Sequence, residues 1–129
     1  MKSLALLFAA LLTAGCGSQP KAPAATQPKP QTDPTAGVSF AEDVQPIFSQ
    51  NCLPCHSGTP DAKSSYALAS YKEAIGPGKD LLPNVVAGNA DSSLLYQMVN
   101  VCKMPPAGPL GQDQVELVKK WIAEGAKDN

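Results

Sequence analysis

Apolar positions along the chain change period several times. Residues 4–12 read LALLFAALL with no polar break and follow a lone basic residue, Lys2. A basic start, a short apolar run and then small residues predict a secretory signal over residues 1–15. The run is too short for a membrane-spanning helix, which needs roughly 20 apolar residues.

Past residue 38 the pattern becomes helical. Phe40, Val44, Ile47 and Phe48 recur at helical spacing, behind a capping-box sequence at Ser39-Phe40-Ala41-Glu42. Pro46 complicates this helix: it kinks it if Ser39 is the cap, or lies in the first turn if Asp43 is. In both cases a helix runs into Cys52. A short helix is expected over residues 70–75, stopped by Gly76-Pro77-Gly78. A third begins after Asn89 or Asp91 and places Leu94, Leu95, Met98 and Val99 on one face. The last has Gly111 as N-cap, Gln114 at the third helical position and Leu110 poised to staple onto Val115. Val115, Val118 and Ile122 form its buried stripe, Leu117 and Trp121 flank it, and Gly125 ends it. No useful strand alternation occurs, so the fold class is all-α, with long loops between the helices.

Composition separates this unit from what precedes it. Residues 17–37 carry Pro20, Pro23, Pro28, Pro30 and Pro34 and almost no large apolar side chain. Such a segment cannot offset its ordering entropy. It reads as a linker that extends to roughly 60 Å over twenty residues at about 3.1 Å each. The expected organisation is a signal at 1–15, an anchor and linker at 16–37 and one domain at 38–129. That domain has seven lysines, no arginine and ten acids. A net charge of −3 without a basic cluster argues against nucleic acid as partner.

The sequence before the linker, LTAGC, resembles a bacterial lipobox, with Ala14 and Gly15 in place and Thr13 where Leu is commonest. The resemblance implies lipidation of Cys16; ordinary signal cleavage nearby is the alternative. The protein is then expected outside the cytoplasm, anchored to a membrane. Gly17 lacks the Asp associated with inner-membrane retention, so inner versus outer membrane stays open.

The chemistry centres on NCLPCHSG, residues 51–58. Cys52 and Cys55, at i and i+3 near a helix end, turn their sulfurs to one side. That arrangement suits two thioether bonds to one edge of a haem, with His56 beneath it as an iron ligand. C-x-x-C-H reads as c-type haem attachment. A thioredoxin-like pair lacks its βαβ context. A zinc site from Cys52, Cys55, His56 and Cys102 would have to use two adjacent residues on one tetrahedral ion. A structural disulfide would leave His56 unexplained. For the second axial position, Met98 shares an apolar helix face and suits the core. Met104 sits in KMPPAGPLG, where Pro105, Pro106 and Pro109 reduce loop freedom before binding. Cys102 reads as a small buried residue or as a thiolate competing with Met104, and Lys103 as a further intruder. The carbonyl that accepts the His56 ring N–H is sought near Pro60.

These segments resemble a class I cytochrome c. More narrowly, FAEDVQPIFSQNCLPCHSG, VVAGNADSSLLYQMV and KMPPAGPLGQDQVELVKKWIAEGA resemble the cytochrome domains described from planctomycetes. The resemblance implies about four helices around one covalent haem c. Cys52 and Cys55 would be its anchors, His56 the proximal ligand and Met104 the distal one. It also implies that the first and last helices cross near Trp121. Ala87 stands where a proline is expected before Gly88, and Cys102 is an addition. The implied function is one-electron transfer, Fe(II)/Fe(III), by a monomer without catalysis, through transient encounters with redox proteins. The alternatives are a gas or peroxide sensor in which Met104 dissociates, and a haem subunit of a larger dehydrogenase.

Overall fold

The computed structural model describes residues 37–77 and 83–129. The expected signal at 1–15, Cys16 and the linker to residue 36 lie outside the described residues. Those described form a π-helical turn (Phe40–Val44) and five α-helices: α1 (Gln45–Asn51), α2 (Leu53–His56), α3 (Tyr71–Ala74), α4 (Leu94–Asn100) and α5 (Gln112–Ala123). Among them there is no strand, only an isolated bridge between Pro77 and Pro83. No helix among them is long and apolar enough to cross a membrane.

Pro46 is accommodated by combining the two expected arrangements. Ser39 caps the π-helical turn, its Oγ accepting from the Glu42 amide at 3.2 Å. Asp43, not Glu42, reaches back: its Oδ2 accepts from the Ser39 amide at 2.9 Å. The wide turn bonds the Gln45 amide to the Phe40 carbonyl. The α-helical ladder restarts at Gln45, so Pro46 falls in a first turn, where no amide donor is needed.

The first and last helical segments pack together. Trp121 sits at the contact, 1% exposed. Its ring lies 5.4 Å from Phe40, 6.5 Å from Phe48 and 6.5 Å from Tyr71. Trp121 therefore belongs to the centre of the core, where the sequence pattern put it at the flank. A ring this large closes its own stripe with Val118 and Ile122, and its indole N–H donates to the Lys127 carbonyl at 2.9 Å. The chain after α5 returns to the start of the domain. The Asn129 main-chain oxygen accepts from the Ala41 amide and the Ser39 hydroxyl, and Glu124 accepts from the Val38 amide.

α4 packs on α5 with a different face from the one expected. Leu95, Tyr96 and Val99 are buried, whereas Leu94 is 41% exposed and Met98 half-buried. Ser93 sets this rotation. Fully buried, its hydroxyl accepts from the Val86 amide and donates to the Asn89 carbonyl, both at 2.8 Å. α4 ends in a Schellman motif: the Lys103 amide returns to the Met98 carbonyl and that of Cys102 to Val99. Cys102, at φ 57°, holds the left-handed position usually given to glycine.

Candidate functional site

The site is built where α1 hands over to α2. Cys52 ends one helix and begins the next, with its amide on the Phe48 carbonyl at 2.8 Å and its own carbonyl accepting from Cys55 and His56. Pro54 fits the first turn of α2, where its missing N–H costs nothing. One turn of helix thus carries both cysteines and the histidine, all half-buried.

α2 is too short to satisfy its own last carbonyls, and the following loop does so instead. The Ser64 amide donates to the Cys55 carbonyl at 3.1 Å and the Leu68 amide to His56 at 2.8 Å. Gly58 makes this return possible. It takes φ +75°, and a Cβ there would lie 2.9 Å from Ala67 Cβ.

Between those two backbone bonds lies the partner of the histidine. His56 Nδ1 is 2.8 Å from the Tyr66 carbonyl. A carbonyl only accepts, so Nδ1 is the donor, and in the neutral ring Nε2 then keeps its lone pair. The expectation of an acceptor near Pro60 is corrected to Tyr66, because the Gly58 turn carries the loop past Pro60 before it closes. Every residue owns a carbonyl, so this acceptor has no sequence signature. The Tyr66 ring meets His56 edge-on at 5.9 Å between centroids.

Cys52 and Cys55 are free thiols. Burial pushes the Cys52 thiol up to about 11, the reverse of the depressed value of a redox-active CxxC cysteine. Burial, and secondarily the charge of ionised Cys52, push the Tyr66 phenol well above its ordinary value. Among the described residues, no group of three or more His, Cys, Asp or Glu could hold a metal ion, which counts against the four-residue zinc site.

The other sequence-predicted residue, Met104, is 37% exposed. Its amide, like that of Lys103, is held by the Met98 carbonyl, at 3.1 Å. Leu94, Met98 and Val101 follow one face of α4 at i, i+4 and i+7, and Leu94 and Val101 are exposed. The α2 residues suit a covalent haem: two free thiols one helical turn apart, and an imidazole whose Nδ1 is committed to a carbonyl.

Residues 52–108 match the family model described as planctomycete cytochrome C, which bears out the resemblance over that span. The match starts at the first motif cysteine and stops before α5, so the Phe40–Trp121 contact rests on the structure alone. No curated protein and no solved structure matches the chain. A cytochrome c domain implies haem c and an electron-transfer role.

Proposed function

We propose that this cytochrome c domain is a monohaem one-electron carrier tethered outside the cytoplasm, with its iron held by His56 and Met104. The observation that carries this reading is the bond from His56 Nδ1 to the Tyr66 carbonyl, which commits one ring nitrogen and leaves Nε2 for a metal. Cys52 and Cys55 would form the two thioethers from α2, and Met104 would supply the second protein ligand to the iron. When bound, the haem supplies reversible one-electron exchange.

The polypeptide has three tasks in this role. The Tyr66 carbonyl orients His56 and increases electron donation from its ring. The anchored Met104 backbone presents a thioether at low entropic cost. The apolar side of Leu94 and Val101 gives the macrocycle a surface that sheds water. With His56 and Met104 both bound to it, the iron would be closed to small ligands at rest. The signal-like and lipobox-like leader supports membrane tethering at Cys16, and the proline-rich linker would concentrate the domain near its redox partners. Those partners would be met transiently.

A pyridine haemochrome spectrum with the intact mass of the exported protein tests the reading. We expect one haem, two thioethers and a lipid on Cys16. A folded, colourless protein overturns it. Rapid, complete carbon monoxide binding by the reduced form at neutral pH would favour the sensor instead.

A further inference from the structure

We propose that Tyr66 is a positioning residue for His56, acting from both ends of its own residue. Its carbonyl accepts the His56 Nδ1 proton at 2.8 Å, while its phenol donates to the Ala74 carbonyl at 2.6 Å, at the end of α3. The ring between these two bonds stands edge-on to the imidazole, at 77°. A residue held only by its backbone could let its carbonyl swing with the loop. Fastened to α3 through the side chain, Tyr66 cannot turn its carbonyl without breaking this part-buried bond. α3 is itself locked: Ser70 caps it through the Glu73 amide and carboxylate, and Ala74 is fully buried. The tether thus runs from the core through Ala74, Tyr66 and His56 to whatever Nε2 binds.

The inference rests on the haem reading and makes a distinct claim. A strong acceptor on Nδ1 gives the imidazole anionic character, which stabilises Fe(III) over Fe(II). Loosening the acceptor should raise the reduction potential.

The test compares Tyr66→Phe with Tyr71→Phe in the full, haem-loaded protein. Tyr71 makes a bond of the same kind, phenol to the Ala126 carbonyl at 2.9 Å, and also packs on the core, but its ring meets Phe40 and Trp121 rather than His56. Tyr66→Phe should keep one haem and two thioethers, speed exchange of the His56 Nδ1 proton in NMR, and raise the potential. The expected shift is up to about tenfold in the redox equilibrium constant, which is ~59 mV for one electron. Tyr71→Phe should lower thermal stability and leave both His56 readouts unchanged. Equal shifts in the two variants, or none in Tyr66→Phe, would overturn the positioning role. If the wild-type protein carries no haem, the haem reading falls. The Nδ1 proton of His56 then still decides this one, since its exchange must remain faster in Tyr66→Phe.

Discussion

The rings of Phe40 and Trp121 meet at 5.4 Å between centroids, tilted by 39°, and join the first helical segment to the last. Phe48 and Tyr71 complete the cluster around the indole. Aromatic pairs of this kind contribute about 0.5–1.5 kcal/mol each beyond their burial.

Trp121→Ala should therefore cost about 3–5 kcal/mol, a large share of the stability of so small a domain. Urea unfolding followed by circular dichroism measures it. A loss below about 1 kcal/mol would mean that the helix contact does not depend on this ring.

The two methionines should separate cleanly. Met104→Ala is expected to abolish the sulfur-to-iron absorption band of the oxidised protein. Met98→Ala, on the half-buried side of α4, should retain it. A band that survives Met104→Ala unchanged rules Met104 out as the ligand.

Gly58→Ala places a side chain at φ +75° and 2.9 Å from Ala67 Cβ. The left-handed conformation alone costs roughly 1–2 kcal/mol. For a domain of this size, each kcal/mol lowers Tm by about 4–8 °C. Thermal melts should show at least that drop, together with a lower yield of haem-loaded protein. An unchanged melting curve would mean the loop closes without a glycine.

Before haem attachment, the Cys52 thiol is raised from 9.0 to about 11 by burial. A raised folded-state value makes the protonated form the stabilising one. That contribution is complete below about pH 9 and is lost as pH climbs toward 11. Alkylation of Cys52 in the haem-free chain should accordingly keep accelerating across this interval. A rate that levels off near pH 9 would show that the thiol is solvated.

The motif and the helices were legible to different degrees. C-x-x-C-H is read from spacing alone, because two sulfurs and an imidazole must share one helical turn. The buried stripe of α5 follows from its period, and Ser39 announces the first helix as a cap. The rotation of α4 was not legible. Leu94 and Tyr96 trade places between surface and core because the Ser93 hydroxyl, buried among backbone groups of residues 86–89, fixes the helix entry. Such a bond between a small polar side chain and a distant loop leaves no periodicity. The His56 acceptor was hidden for a related reason: it is a main-chain atom, placed by a turn at Gly58 whose φ only the fold reveals.

The amides of Lys103 and Met104 both end on the Met98 carbonyl. With its backbone moored to α4 in this way, Met104 keeps only the rotations of its own side chain. Were Met104 the iron ligand proposed above and its sulfur displaced, the methionine would swing aside as a rotamer hop, on the picosecond-to-nanosecond scale of exposed side chains, with no slower loop opening required.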